Sequence, residues 1–360
     1  MKNDRSAKTY YYSMLNKQQQ KAYYAMKAGL EAMAPSFMVP RLEGRDLADI
    51  YFMVRMDHPE LFYSVKFSYR YYADSENVEM IPEYLFPKNK LEEHKRAMEA
   101  RVKKLARQAE SLDEKGKELF IHDFICRNVY YDKLKKAYSH EIIGPLGQGV
   151  GVCEGIAKAV KILCDALGIW CIIALSEANP EKYIKYRHAW NVVRIGGTYY
   201  HLDATFDNSL SSRSSTSGAA GSAGNQEIIR YDYFNLSDAQ FFRDHEPVIW
   251  KVPACTDGDH TYYREKKLSF TKYEDVRKRA AQAVKKGKVL LFHWRGGYLT
   301  REVLKELLQI FEEEAAKKEK YVYLSLNWPQ AVLQLTFENE RREQQVKMEE
   351  ANEGEAYEEK

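Results

Sequence analysis

Apolar residues along the chain alternate between helical and strand spacing, and the changes of period mark out its elements. From residue 8 to about 34, Tyr10, Tyr11 and Leu15, then Tyr23, Met26 and Leu30, lie on one face of a predicted helix. Asn16 and Gln19 have capping-box spacing, and Pro35 and Pro40 act as breakers. A second helix is predicted over 44–56, followed by a turn at Asp57-His58-Pro59-Glu60 and aromatic-rich strands over 61–72 and 78–86. Residues 89–131 read as two helices parted near Gly116. The second carries Leu119, Phe120, Phe124, Ile125 and Val129 on its buried side. Gly144, Pro145, Gly147, Gly149 and Gly151 then form a run that neither a helix nor a strand is expected to tolerate. Behind the run, Ile156, Val160, Leu163 and Leu167 recur at helical spacing, and Gly168 stands where a C′ glycine ends a helix. Cys153 therefore falls at a helix start.

Downstream, residues 188–194 and 198–203 flank Gly196-Gly197, a two-residue hairpin signal. With those glycines as the loop, Ile195 pairs with Thr198, Trp190 with Asp203, and His188 with Thr205. Side chains alternate across a sheet, so His188, Trp190, Asp203 and Thr205 share one face, and His188 and Asp203 become diagonal neighbours within hydrogen-bonding reach. His201, opposite Val192, lies on the same face farther along and is a rival base. Residues 207–226 are Ser/Gly/Ala-rich and read as a loop, either an idle insertion or a lid. A strand over 228–234 and a helix start at Asn235-Leu236-Ser237-Asp238 follow. From Pro253 the pattern is a turn at 257–259, helices over 273–286 and 300–318, and strands over 289–293, 321–326 and 331–337. Beyond 338 comes an acidic tail without an apolar face.

The chemistry gathers around Cys153. Unpaired N–H groups at a helix N-terminus favour a thiolate, and glycines let the backbone approach a substrate closely. Cys153 as nucleophile, His188 as base and Asp203 as orienter make the expected set. The Cys153 N–H is a natural oxyanion donor. Trp190 walls the cleft or simply packs, and Glu154 caps or orients the loop rather than acting as an acid. A metal set of Cys153, His188, His201 and Asp203 has suitable ligand types, but no paired Cys or His spacing supports it, so no metal is expected. The glycine run lacks the Gly-Lys-Ser/Thr ending of a phosphate loop, and no cofactor is expected. His58 reads as a turn residue, His122 and Cys126 as a packing pair, and Cys164 and Cys171 as small core residues.

Composition narrows the partners. With 360 residues, 45% hydrophobic and 30% charged, the chain has room for one large or two modest globular domains. The 27 tyrosines fit core and strand filling more readily than a binding surface. A net charge of +3 without a dense Lys/Arg block argues against nucleic acid. No window is long and apolar enough to suggest a membrane span, and Met1–Tyr12 has no signal-peptide apolar core. Five cysteines, an odd number without paired spacing, suggest free thiols in a reducing compartment, hence a cytoplasmic protein.

Three blocks together carry a resemblance: Gly151-Val152-Cys153-Glu154-Gly155 with Ala157-Lys158-Ala159; His188-Ala189-Trp190-Asn191; and Gly197 followed by Tyr199-Tyr200-His201-Leu202-Asp203-Ala204-Thr205-Phe206. In order and spacing they resemble the transglutaminase-like core of the papain-like cysteine enzymes, over roughly 120–234. The resemblance implies an α+β fold, helices packed on an antiparallel sheet, with nucleophile, base and orienter at Cys153, His188 and Asp203. It also implies Gln148 as a second oxyanion donor. Domains are expected at 1–88 (helical and strand region), 89–252 (catalytic core with the 207–226 loop) and 253–338 (small α/β domain), with the tail over 339–360. The implied activity is acyl transfer on a peptide or protein amide through a thioester, by hydrolysis rather than cross-linking. The alternative is a non-catalytic peptide- or protein-binding module that keeps the fold.

Overall fold

The computed structural model describes residues 7–211 and 228–340, and shows a mixed α and β architecture in two compact units. Among the described residues the first unit holds 7–177, 187–211, 228–233 and 247–256, and the second holds 178–186, 234–246 and 257–340.

In the first unit, α1 is Lys17–Glu31, β1 Phe37–Pro40, α2 Gly44–Asp57, β2 Ser64–Tyr71 and β3 Asn77–Tyr84. The helix expected from residue 8 starts only at Lys17, because Asn16 takes an extended conformation. Its side chain accepts from the N–H groups of Gln18 and Gln19 while Gln19 answers with its own side chain. Residues 7–14 form short 3-10 turns instead. Phe37–Pro40, expected only as a break, pairs with β3, giving the order β1-β3-β2. Pro40 has no donor to offer and sits at the end of this edge strand, where none is needed.

Two helices follow, α3 (Lys88–Ala109) and α4 (Glu114–Asn128). They part at Asp113, whose carboxylate caps α4 by accepting from the Gly116 N–H, so Gly116 lies in the first turn rather than at the break. The buried side of α4 is Glu118, Ile121, His122, Ile125 and Cys126. Leu119, Phe120 and Phe124 are only partly covered, so the face is rotated from the one expected. The glycine run is also more regular than expected. Gly144–Gln148 winds into a π-helical turn, Gly149 takes φ +67°, and Val150–Gly151 (β5) pairs in parallel with Tyr130–Tyr131 (β4). Pro145 fits because it stands at the start of the turn, where an N–H has no partner to lose.

Next come α5 (Cys153–Leu167), β6 (Trp170–Ser176), β7 (His188–Ile195), β8 (Thr198–Leu202) and α6 (Ala204–Leu210). Gly168 ends α5 with φ +77°. Strands β6, β7 and β8 lie side by side, antiparallel, and all seven residues of β6 are buried. Ile195 pairs with Thr198 and Asn191 with Leu202, the register read from Gly196-Gly197. Asn191 ties sheet to helix: its amide donates to the carbonyls of Ala157 (3.0 Å) and Ile172 (3.3 Å). The proposed loop from 207 onward begins as helix, since α6 runs to Leu210. The rest of that stretch, 212–226, lies outside the described residues.

In the second unit, β9 is Phe234–Leu236, replacing the strand expected over 228–234. Helix α7 (Asp238–Phe241) opens with a Ser237/Gln240 capping box, and α8 is Tyr262–Glu265. Strand β10 (Ser269–Phe270), α9 (Tyr273–Lys286), β11 (Leu290–Trp294), α10 (Arg301–Ala316), β12 (Tyr321–Asn327) and β13 (Val332–Glu338) complete it. The sheet order is β10-β11-β13-β12, with only the β10–β11 pair parallel. Val276, Leu307 and Phe311 from the helices meet Phe292, Leu333 and Leu335 from the strands in one core. No described helix is long and apolar enough to cross a membrane. The tail beyond 340 lies outside the described residues.

Candidate active site

Cys153 is the first residue of α5, so its N–H is among the donors that the helix itself leaves unpaired. It is partly exposed, whereas Cys126, Cys164, Cys171 and Cys255 are buried. The approach to this helix is tight. The Val152 N–H donates to the Ser139 carbonyl at 3.0 Å, and a Cβ on Gly155 would lie 2.2 Å from that same oxygen. Only a glycine fits there without moving backbone. Gly155→Ala is expected to cost about 1–3 kcal/mol of stability, measurable by urea unfolding. An unchanged midpoint would mean that the 139–140 backbone yields freely.

His188 opens β7. Its Nε2 lies 2.5 Å from Asp203 Oδ2, and the Cys153 side chain is near enough to the same imidazole to help raise its pKa. Asp203 does not continue β8 as a strand residue. It is the N-cap of α6, and its Oδ1 accepts from Thr205 N (2.8 Å) and Phe206 N (3.0 Å). The turn into α6 moves Thr205 away from the strand pairing expected for it. One carboxylate thus serves a helix end with one oxygen and an imidazole with the other. Burial alone would push the His188 pKa down. The charge of Asp203 and its hydrogen bond outweigh that, followed by the influence of Cys153, and raise it to about 10.

Two aromatic rings meet the imidazole. Trp190 is stacked at 5.8 Å between centroids, and Phe206, which carries no expected role beyond its motif, meets it edge-on at 5.0 Å. Trp190 is buried, and its indole N–H donates to His201 Nδ1 at 3.0 Å. The rival base is therefore engaged with Trp190, in a fully buried position within 4.8 Å of the buried Cys255 sulfur. Gln148 ends the π-helical turn and is exposed. Glu154, next to Cys153, bonds Lys158 (2.8 Å) and His140 (3.2 Å). The i, i+4 spacing of Glu154 and Lys158 was visible in the sequence as a helix pair. Their partners Arg55 and Glu141 had no local signal. His58 bonds Glu60 in its turn, and His122 is buried within 3.7 Å of Cys126.

Residues 102–204 match the family model described as the transglutaminase-like superfamily, and a transglutaminase-like domain occupies that stretch. No curated protein matches the chain. One solved structure, described as "a Putative Cysteine Protease from Cytophaga hutchinsonii", is similar at 16% identity and a TM-score of 0.25, over 39% of this chain and 62% of that one. Another, described as a TGase, is similar at 10% identity and a TM-score of 0.25, over 47% of this chain and 48% of that one. The similarity spans less than two thirds of either neighbour.

Proposed function

We propose that the transglutaminase-like domain at residues 102–204 is a cysteine acyl-transfer enzyme acting on a peptide or protein amide, with Cys153 as nucleophile, His188 as base and acid, and Asp203 as orienter. The observation that carries this reading is one imidazole that bonds a buried carboxylate through Nε2 and feels the thiol at a helix start. A strand supplying the base and the turn just beyond its partner strand supplying the orienter, beside a helix that supplies the nucleophile, also fit a papain-like core. The Cys153 thiol gives its proton to His188. The thiolate attacks the amide carbonyl, forming a C–S bond and an oxyanion that faces the N–H groups at the start of α5, with Gln148 as the second candidate donor. Protonated His188 gives its proton to the amide nitrogen as the C–N bond breaks and an amine leaves, which produces a thioester. His188 then takes a proton from water, the resulting oxygen nucleophile displaces sulfur, and the thiolate is restored. Hydrolysis is the preferred second step, and an amine acceptor would give cross-linking by the same route.

Iodoacetamide at pH 6, followed by location of the modified cysteine, tests the reading. Cys153 is expected to react at least ten times faster than a free thiol at that pH, and to lose the advantage in His188→Ala. The four other cysteines are buried, so exposure alone would favour Cys153, and the histidine variant separates exposure from activation. A wild-type rate equal to that of a free thiol would sink the enzyme reading and leave the binding module.

A further inference from the structure

Arg55 lies on α2, outside the matched residues, yet its guanidinium reaches the helix that carries Cys153. Its Nη2 donates to Glu141 Oε1 and, at 3.4 Å, to Glu154 Oε1. Lys158, one turn into α5, donates to the same two oxygens at 2.8 Å each. Two cations thus alternate with two carboxylates. Arg55, Glu141 and Lys158 are buried, and the rings of Tyr51 and Phe52 flank the guanidinium at 5.2 and 5.6 Å. His140 joins the set from the preceding turn. Its Nδ1 is 3.2 Å from Glu154 Oε2, and its carbonyl accepts from Lys158 at 3.2 Å.

Stability alone is a weak reason for four such charges, because a buried ion pair is often no better than apolar packing of the same volume. Arg55 Nε adds a further cost, since it is buried without a hydrogen-bond partner among the described residues. The location suggests another reason. Glu154 directly follows Cys153, and an uncompensated carboxylate there would oppose a thiolate at the helix start. Burial pushes the Glu154 carboxyl up, but Lys158 and then Arg55 overcome it and hold it well below the usual carboxylate range. Glu154 is therefore a fixed negative charge, and its counter-charges must be fixed as well.

We propose that Arg55 is a positioning residue for the acyl-transfer site: by neutralising Glu141 and Glu154 and clamping the 140–141 turn to the first turn of α5, it sets the pH range in which Cys153 is a thiolate. The inference rests on the Cys153–His188–Asp203 reading. The charged and titratable groups around that helix start are His188 on β7 with Asp203 behind it, Glu154 and Lys158 on α5, His140 and Glu141 on the preceding turn, and Arg55 on α2.

The pH profile of Cys153 alkylation by iodoacetamide, measured on the full chain, is the test. Arg55→Met leaves one excess negative charge, and its midpoint is expected to move up by about one pH unit. Glu141→Gln leaves one excess positive charge and is expected to move it down by a similar amount. The double variant restores the balance and the wild-type midpoint, and Arg55→Lys, which keeps the charge, stays near wild type. Thermal melts establish that each variant is folded. Unmoved midpoints in both single variants, or shifts in the same direction, overturn the inference. Should Arg55→Met fail to fold, Glu141→Gln decides alone, and a midpoint that stays or rises overturns it. A wild-type Cys153 that reacts like an ordinary thiol overturns the acyl-transfer reading itself, which distinguishes the two failures.

Discussion

Replacing Asp203 by asparagine is expected to slow the alkylation of Cys153 at pH 6 by about 100-fold, because an ordinary thiol is almost wholly protonated there. Asparagine keeps an oxygen for Thr205 and Phe206, so α6 retains its cap. What is lost is the charge 2.5 Å from His188 Nε2. In the wild type His188 is raised to about 10, against a burial effect that works in the opposite direction. Without the carboxylate, burial prevails and the imidazolium is lost below neutrality. The sign follows: a histidine whose folded pKa is raised holds its stabilising proton below its unfolded value near 6.5 and loses it as pH rises through the folded value. The His188 imidazolium should therefore persist to about pH 10 in the wild type and be lost at lower pH in Asp203→Asn. With an amide substrate in hand, turnover is expected to fall by about 10⁴-fold. Equal alkylation profiles for the two proteins would show that Asp203 matters to His188 only as a helix cap.

The parts of this site legible in the sequence are those set by short-range periodicity. Cys153 at a helix mouth followed from four apolar positions and Gly168, and the β7–β8 register from two glycines that take positive φ. The strand pairing ends at Leu202, short of the pairs expected at Asp203 and Thr205. The change from strand to helix cap there depends on where α6 starts, and an aspartate is compatible with either. The face of α4 was misjudged for a different reason. Leu119, Phe120 and Phe124 outrank Glu118 and His122 on any hydrophobicity scale, yet the polar pair is buried beside Ile121, Ile125 and Cys126 while those three are only partly covered. Burial of polar groups depends on partners distant in sequence, and His122 finds Asp207 while Arg55 finds Glu141. No window of a few turns contains both halves of either pair. The same limit applies to β1, a four-residue strand framed by prolines that exists because β3 offers it an edge.

Removing the His122 imidazole is expected to destabilise the first unit by roughly 3–5 kcal/mol near pH 8, the usual effect of breaking a buried charged pair. His122 Nε2 is 3.0 Å from Asp207 Oδ2, and neither side chain touches solvent. The other oxygen, Asp207 Oδ1, accepts from the N–H groups of Asp232 (2.7 Å) and Tyr233 (3.1 Å), so the carboxylate also pins the chain where it returns after 228. Burial pushes the Asp207 carboxyl well up from its ordinary value, and the contact with His122 is the main influence drawing it back. In His122→Ala that influence is gone and the carboxyl rises further. An acid raised in the folded state loses stability as pH rises from its unfolded value near 3.8, and His122, held well above its ordinary value, makes the wild type lose stability in the same way above about 6.5, so the gap between variant and wild type is not expected to widen with pH. The deletion also removes a ring stacked on Tyr231 at 4.9 Å, a packing loss with no pH dependence. Urea unfolding of His122→Ala and His122→Phe at pH 8 separates the two effects: phenylalanine keeps a ring against Tyr231, so losses of similar size in both mark the stranded carboxylate, and a loss confined to alanine would reduce His122 to a packing residue. Because Asp207 follows Asp203 by one turn of α6, the same unfolding should take the His188 contact with it, and Cys153 alkylation at pH 6 should fall in step with the folded fraction.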